Sequence, residues 1–327
     1  MEVVTKKRMM IFSGSSHEGL AKEVAEHLGM RVGEVELSRF ANGELYCRFG
    51  ESVRGADVFV MQTHVSDSDR TINDYVVEQM LMFDALKRAS AKRIIAVIPY
   101  FGYSRSDKKT LAREPIGAKL MCDLLEAAGV DRIMSVDLHT GQIQGFSNVP
   151  FDHLTAMPLI EGWIQDNVPP GERVIVSPDA GRVRLTEKFG QHLSAPMAIL
   201  HKTRDPREHN KSETREVIGE VEGKIAIIID DMIDTAGTIC GAARMLMDRG
   251  ATSVIACATH GLLSGPAPER LIASVIDTTV VTNTLPIPPE RQFPGLVVLS
   301  IAPIVAPALK AVFEDESVSQ IFQGENV

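Results

Sequence analysis

The sequence has few aromatic residues, few cysteines and an excess of acidic over basic side chains. Aromatic residues make up 5% of the 327 positions, four residues are cysteine, and the formal net charge is −9. This charge argues against nucleic acid or an anionic membrane surface as a partner. The cysteines are far apart and form no C-x-x-C pair, which predicts reduced thiols, mostly in the core, as in a cytoplasmic protein. They are Cys47, Cys122, Cys240 and Cys257.

Long apolar runs are also missing. No segment reaches the length of a membrane span, and the N-terminal residues MEVVTKKRMMIF lack the apolar stretch of a signal peptide. We therefore expect a cytoplasmic protein. Its 44% hydrophobic and 24% charged residues are typical of a globular protein, and 327 residues suffice for two domains with a core each.

Residues 223–241, GKIAIIIDDMIDTAGTICG, contain the most informative pattern of the chain. The isoleucine-rich run Ile225–Ile229 predicts a strand that is buried on both faces. Apolar residues recur at helical spacing after Gly237, which predicts a helix that begins there. Between them, Thr235-Ala236-Gly237-Thr238 offers hydroxyl and backbone N–H groups at a helix N-terminus, an arrangement that can bind an anion.

Three carboxylates stand next to this predicted anion site. A sugar phosphate accounts for both features, because the loop can bind the phosphate while Asp230 and Asp231 accept hydrogen bonds from sugar hydroxyls. The alternative is that the aspartates, Asp234 included, only cap the helix. Two adjacent aspartates at the end of a buried strand exceed what a cap needs, which favours the sugar phosphate. The run resembles the ribose-phosphate loop of the type I phosphoribosyltransferases.

The first half of the chain carries two unusual polar loops. The turn at residues 39–44 presents Phe40 among polar residues, so its ring either stacks on a ligand or anchors the base of the loop in the core. The segment 99–109 combines three aromatic and three cationic residues. One short loop of this composition fits a single nucleotide better than an extended nucleic acid.

Strand and helix patterns alternate in both halves. We predict strands at 9–12, 57–61, 93–98, 132–136, 173–176, 197–200 and 225–229, and helices at 71–89, 115–128 and 303–313. This alternation predicts an α/β fold of two similar domains, each a mainly parallel sheet flanked by helices. We place a linker at Phe151–Leu154, with residues 1–152 as the first domain and 153–304 as the second. Residues 305–327 are expected to pack back on the first.

A long polar loop is predicted after the strand at 197–200. Residues 201–211 show no periodicity and no apolar anchor, which predicts a mobile lid over a ligand site. The alternative is a solvated loop without a role, but its origin at a strand end of an α/β sheet favours a function. Lys202 and Arg204 stand two residues apart in it, so in an extended chain their side chains share a face.

Over essentially its whole length, the chain resembles the phosphate-activated type of the ribose-phosphate pyrophosphokinase family, also called the phosphoribosyl pyrophosphate synthetases. No single segment decides this, but nine segments occur in the family's order. They are RFANGE, ESVRGADVFVMQT, IPYFGYSRSDKK with REPI, VDLHTGQIQGF, VSPDAG, HKTR, DDMIDTAGT, THGLLSGPA and SIAPIVAPALK.

The resemblance implies an enzyme that transfers the diphosphoryl group of ATP to the 1-hydroxyl of ribose 5-phosphate. The products are 5-phosphoribosyl 1-diphosphate, which feeds nucleotide, histidine and tryptophan biosynthesis, and AMP. The implied fold is a pair of type I phosphoribosyltransferase-like domains, the first on the ATP side and the second on the ribose 5-phosphate side. The implied cofactor is Mg²⁺, held by His139 and Asp179, although chemistry alone favours carboxylate and phosphate oxygens over histidine.

The resemblance also assigns the site residues. The implied catalytic pair is Lys202 and Arg204. The implied ATP-binding residues are Phe40, Asn42, Glu44, Arg105, Ser106, Asp107 and His139. The implied ribose 5-phosphate residues are Asp230, Asp231, Asp234, Thr235, Ala236, Gly237 and Thr238. Three departures are visible, because the family usually has glutamine where this chain has Ser106, a second glycine where it has Arg182, and frequently a second aromatic residue where Ser147 and Asn148 follow Phe146 here.

Two other functions stay open at this stage. A non-catalytic synthetase-associated regulatory subunit would share the fold, but intact Lys202, Arg204 and His139 argue against it. A phosphoribosyltransferase would use only the second domain and would leave the Phe40 and Arg105 segments unexplained. The resemblance further implies a homo-oligomer, often a hexamer, that is activated by inorganic phosphate and inhibited by ADP.

Overall fold

The chain divides into two compact units in the computed structural model, which describes residues 7–203, 214–322 and 324. Of the described residues, the first unit contains 7–155, 284–286, 300–322 and 324, and the second contains 156–203, 214–283 and 287–299. In the described part of the chain, no helix combines the length and the apolarity that a membrane span requires. All four cysteines are free thiols, and two of them, Cys122 and Cys257, are buried.

The first unit is built on a parallel sheet with the strand order β1-β4-β5-β6-β7. A separate antiparallel hairpin, β2 and β3, lies outside this sheet. The elements are β1 (Met9–Ser13), α1 (Glu18–His27), β2 (Val35–Arg39), β3 (Leu45–Phe49), β4 (Asp57–Met61), α2 (Ile72–Arg88), β5 (Arg93–Ile98), α3 (Gly117–Ala128), β6 (Arg132–Val136) and β7 (Phe151–Leu154). Continuous apolar runs such as DVFVM and RIIAVI form the central strands, because both faces of a parallel sheet are covered.

The second unit contains a sheet with the strand order β10-β9-β8-β11-β12-β13-β14, and among its described strands only β9 and β10 pair antiparallel. Its elements are α4 (Met157–Asn167), β8 (Arg173–Ser177), α5 (Val183–His192), β9 (Met197–Thr203), β10 (Thr214–Ile218), β11 (Ile225–Ile233), α6 (Gly237–Asp248), β12 (Ser253–Gly261), α7 (Ala267–Ile272), β13 (Thr278–Thr282) and β14 (Leu296–Leu299). The chain then returns to the first unit as α8 (Ala302–Glu314).

Strand β11 is buried on both faces, as its isoleucine run predicted. Ile228 belongs to a core with α6 and α7, whereas Ile227 and Ile229 belong to a second core with α4 and α5. Because strand side chains alternate between faces, a continuous apolar run is what a central strand between two helix layers requires. The α/β class and the mainly parallel sheets flanked by helices are confirmed.

The predicted bounds differ from the structure most clearly at a linker and at the ends of two strands. Phe151–Leu154, predicted as a linker, forms β7, because β6 has a free edge with which it pairs in parallel. Strand β9 extends to Thr203 because β10 pairs with it, so the loop predicted from His201 begins later, and its residues 204–211 lie outside the described residues. Strand β11 continues four residues past Ile229 because its pairing with β12 continues to Ile233.

Candidate functional site

The turn from β11 into α6 leaves the predicted anion loop open to ligands. Thr235, Gly237 and Thr238 are exposed, and Ala236 takes a left-handed backbone conformation at φ 59°. Backbone bonds from Leu263 N to Ile233 O (3.0 Å) and from Ser264 N to Asp234 O (2.9 Å) fix the start of the loop. The first N–H groups of α6 therefore stand at an accessible helix N-terminus, which suits a phosphate group.

Arg270 lies beside this loop and was not predicted from the sequence. It comes from α7, and its Nη1 donates to Thr235 O at 2.9 Å. The guanidinium thus fixes the loop backbone and adds positive charge next to the phosphate-binding segment. No local pattern signalled it, because the contact joins residues 35 positions apart.

The two adjacent aspartates lie within β11, upstream of the loop. Asp231 is buried and Asp230 is half-buried, and Arg182 contacts both. Arg182 Nε lies 3.1 Å from Asp230 Oδ1, and its Nη2 lies 2.7 Å from Asp231 Oδ1. The N-cap residue of α6 is Ala236, which has no oxygen on its side chain, and Asp230 and Asp231 lie within β11, so neither of these two aspartates is the N-cap residue.

Burial and the neighbouring carboxylate raise the pKa of Asp230 to about 8. Burial is the larger cause, the hydrogen bond and the charge of Asp231 add to it, and the charge of Arg182 opposes both. Two carboxylates so close together hold their charges only if a cation compensates them.

The other strand ends of this sheet carry two more predicted residues. Asp179 follows β8 and is exposed, and its Oδ1 accepts from Gly181 N at 2.7 Å. The backbone of Lys202 lies in β9, the neighbour of β8 on the side away from β11. The carboxyl ends of β9, β8 and β11 therefore stand at one edge of the sheet. Arg204 lies outside the described residues.

In the first unit, the β2–β3 hairpin presents Phe40 at its tip. The ring is 55% exposed and contacts Tyr46 edge-on at 5.9 Å between centroids, so the alternative of a core anchor was wrong. The tip is a tight turn, in which Phe40 N donates to Glu44 O at 2.8 Å and Glu44 N donates to Asn42 Oδ1 at 3.2 Å. An open recess of about 440 Å³ lies beside it, lined by Gly43, Glu44, Leu45, Asn73, Asp74, Val77 and Leu81.

The loop after β5 is tied to the start of α3. Ser106 Oγ accepts from Gly117 N at 3.0 Å, and Ser106 O accepts from Ala118 N at 3.1 Å. Helix α3 therefore begins at Gly117, two residues later than predicted, and Pro115 precedes it. Arg105, on the other side of this anchor, is exposed.

His64 anchors the same loop from inside the unit and was not predicted. It is fully buried, and its Nδ1 accepts from Gly102 N at 3.1 Å. The proton of the neutral ring is thus on Nε2, which lies 3.0 Å from Gln79 Oε1. Burial lowers the pKa of His64 to about 4, against a smaller opposing effect of the Gln79 hydrogen bond.

The structure brings the predicted ATP segments into contact within the first unit. Asp107 Oδ2 accepts from Thr140 Oγ1 at 2.9 Å, which joins the loop after β5 to the His139 loop after β6. The first turn of α2 joins the β2–β3 hairpin to the loop after β5. Asp74 pairs with Arg39 of the hairpin at 3.5 Å, and Asn73 accepts from the OH of Tyr103 in the loop. Among the described residues, no group of three or more histidine, cysteine and acidic side chains could hold a metal ion.

Comparison with known proteins gives the same family for both halves of the chain. Residues 9–129 match the model of the N-terminal domain of ribose phosphate pyrophosphokinase. Residues 201–323 match the model of the phosphoribosyl synthetase-associated domain.

Curated relatives and a solved structure cover nearly the whole chain. A ribose-phosphate pyrophosphokinase of Mycobacterium leprae is 51% identical over 98% of this chain and 97% of its own, and one of Streptomyces coelicolor is 50% identical over 97% of each. The crystal structure of phosphoribosylpyrophosphate synthetase from Mycobacterium smegmatis superposes with a TM-score of 0.89 at 49% identity, covering 94% of this chain and all of its own. The chain belongs to the ribose-phosphate pyrophosphokinase family.

Proposed function

We propose that the protein transfers the β,γ-diphosphoryl group of ATP to the 1-hydroxyl of ribose 5-phosphate, with AMP as the second product. The observation that carries this proposal is the pair of carboxylates on β11, which stands directly before an open helix N-terminus. N–H groups that bind a phosphate, next to carboxylates that accept hydrogen bonds from hydroxyls, fit a phosphorylated sugar. The names of relatives that are about half identical over the full length support the same reaction.

In this proposal the second unit binds the sugar. The loop binds the 5-phosphate through backbone N–H groups and threonine hydroxyls, and Arg270 fixes that loop. Asp230 and Asp231 accept hydrogen bonds from the ring hydroxyls. The proposed sugar-binding residues are Asp230, Asp231, Asp234, Thr235, Ala236, Gly237 and Thr238.

The first unit is proposed to bind ATP. The exposed ring of Phe40 is available to stack on adenine, and the recess beside it leaves room for a base. Arg105 is exposed and can contact phosphate groups, whereas the hydroxyl oxygen of Ser106 already accepts from α3. The proposed ATP-binding residues are Phe40, Asn42, Glu44, Arg105, Ser106, Asp107 and His139.

The chemistry requires positioning and cations more than acid–base catalysis. The sugar hydroxyl attacks the β-phosphorus and AMP leaves in line, so negative charge spreads over the diphosphoryl oxygens. We propose that the side chains of Lys202 and Arg204 stabilise this negative charge. Groups that meet charge only as it develops raise kcat more than they tighten substrate binding.

Magnesium is the proposed cofactor. When bound, it neutralises charge on the phosphate oxygens. The exposed carboxylate of Asp179 fits a hard cation, since one of its oxygens is engaged by Gly181 N and the other can coordinate. The imidazole of His139 is a less usual ligand for this ion, and its role as a ligand stays a prediction from the family resemblance.

The alternatives receive less support. A regulatory subunit would not need an intact sugar site, and a phosphoribosyltransferase would not need the exposed Phe40 hairpin. A homohexamer, activation by phosphate, inhibition by ADP and a cytoplasmic location stay predictions.

Release of AMP from ATP, with ribose 5-phosphate as the sole acceptor, tests the proposal. Lys202→Ala and Arg204→Ala should lower kcat by roughly 10³–10⁵, the range known for an arginine in phosphoryl transfer, with little change in either KM. Arg249→Ala, an exposed cation at the end of α6, serves as the matched control. Formation of ADP would indicate transfer of a single phosphoryl group, and no turnover by the unaltered protein would refute the proposal.

A further inference from the structure

Arg182 occupies the place where β8 separates from β11. The two strands pair in parallel only as far as Val176 and Ile228, after which β8 turns away through Asp179. Strand β11 continues for five more residues, to Ile233, along its other neighbour. Among the described strands, none pairs with this edge of β11 beyond Ile228, and the side chain of Arg182 contacts both aspartates from the start of α5.

The contacts of Arg182 engage one oxygen of each aspartate. Nε and Nη2 face Asp230 Oδ1 and Asp231 Oδ1 at 3.1 and 2.7 Å, and Asp231 N also donates to Asp230 Oδ1 at 2.8 Å. The guanidinium side chain is 17% exposed, so solvent screens these contacts far less than those of a surface pair. The planar fork of arginine fixes the orientation of both carboxylates, which a lysine ammonium would do less well.

Charged carboxylates are what a sugar site needs here. An ionised carboxylate accepts hydrogen bonds at both oxygens, whereas a protonated one loses acceptor capacity and presents a donor. Among the described residues, the charged groups that act on Asp230 are Arg182, from the start of α5, and Asp231, from β11 itself. Because burial and Asp231 both favour the neutral form of Asp230, the cation works against them.

We propose that Arg182 is a positioning residue of the sugar site, which orients Asp230 and Asp231 and favours the ionised form of these carboxylates that ribose 5-phosphate binds. This inference rests on the proposed function of that site. Its consequence is that loss of the cation weakens sugar binding most where the carboxylates take up protons, at lower pH. At higher pH the carboxylates ionise without the cation, and the defect shrinks.

Kinetics of Arg182→Gln across pH test this inference. At pH 7 the KM for ribose 5-phosphate should rise by roughly 10–100-fold, the equivalent of about 1.5–3 kcal/mol for a hydrogen bond to a charged group. The ratio of variant to unaltered KM should fall steadily toward pH 9.5. The KM for ATP should stay within about twofold, and Arg182→Lys should recover part of the affinity. Arg184→Gln, an exposed position on the same helix, is the matched control.

Calorimetry of ribose 5-phosphate binding gives a readout that does not need turnover. In buffers of different ionisation heat, binding at pH 9 should release more protons from Arg182→Gln than from the unaltered protein, because Asp230 of the unaltered protein is largely ionised there and the sugar selects ionised carboxylates. A KM ratio that is the same at pH 7 and 9.5, or equal proton release by both proteins, would overturn the inference and leave the proposed function intact. Failure of the unaltered protein to bind ribose 5-phosphate would refute the proposed function instead. Thermal unfolding of each variant separates these outcomes from loss of the fold.

Discussion

The exposure of Phe40 distinguishes a role in ligand binding from a role in the core. A large aromatic ring usually gains stability by burial, yet this one stands at a hairpin tip and is more than half exposed. The tip itself is held by backbone and asparagine hydrogen bonds that do not involve the ring. The ring is therefore dispensable for the turn and available to a ligand.

Phe40→Ala should weaken ATP binding by roughly 1–3 kcal/mol if the ring stacks on the base. The unfolding temperature should hardly change, since little apolar surface of this ring is buried. Leu120→Ala, which removes a side chain of equal 55% exposure from α3, is the control for loss of an exposed apolar group. Titration of each purified variant with ATP measures the effect. Unchanged ATP affinity in Phe40→Ala would remove this residue from the proposed site.

Ser106 shows how an element can depend on a residue that the resemblance assigns to a ligand. Four N–H groups at the start of a helix need partners from elsewhere, and Ser106 supplies two acceptors from eleven residues upstream. The glutamine that the family resemblance implies at this position has a longer side chain, which could extend to a ligand. The shorter side chain of Ser106 instead accepts a hydrogen bond from the first residue of α3. This accounts for the departure at residue 106 in physical terms.

Ser106→Ala should lower the free energy of unfolding by about 1 kcal/mol, the usual effect of removing an oxygen that caps a helix. The carbonyl oxygen of residue 106 still accepts from Ala118, which limits the loss. Chemical denaturation measures the change, with Ser68→Ala at an exposed bend as the control. A large rise in the KM for ATP at unchanged stability would instead show that the hydroxyl serves the nucleotide.

Strand interiors could be predicted from the sequence, whereas strand ends and long-range contacts could not. The bounds of β4, β5 and β6 follow directly from their apolar runs. The end of β11 does not, because its last residues include two aspartates and are kept in the strand by β12. The same limit applies to the site. The loop after β11 has a local signature, but the two aspartates that Arg182 contacts lie 48 and 49 residues away, and Thr235, which Arg270 contacts, lies 35 residues away.

At the scale of the whole molecule, a buried histidine and a half-buried aspartate act on the free energy of unfolding in opposite directions. His64 is neutral in the fold, and its pKa is lowered from 6.5 to about 4 by burial, so its contribution is lost as the pH falls through that range. Asp230 has a raised pKa, so the folded state retains a proton that the unfolded state releases. Its contribution is fully present below the unfolded pKa of 3.8 and is lost as the pH rises through about 8. From about pH 4 to 6.5 the two effects on the free energy of unfolding oppose each other, and from about pH 6.5 to 8 only the loss from Asp230 remains.

Asp230→Asn tests the loss of stability with rising pH that follows from the raised pKa of Asp230. Asparagine has the shape of the protonated acid and cannot ionise, so the variant should lose the pH dependence that Asp230 creates. For one proton, the unaltered protein should lose at most about 1.4 kcal/mol of stability per pH unit relative to the variant between pH 4 and 8. Unfolding temperatures of both proteins at pH 5, 7 and 9 should therefore diverge with rising pH, with the variant higher at pH 9. Asp248→Asn, an exposed position on α6, should follow the unaltered protein at every pH. Curves for Asp230→Asn that run parallel to those of the unaltered protein would show that Asp230 is already ionised in the fold.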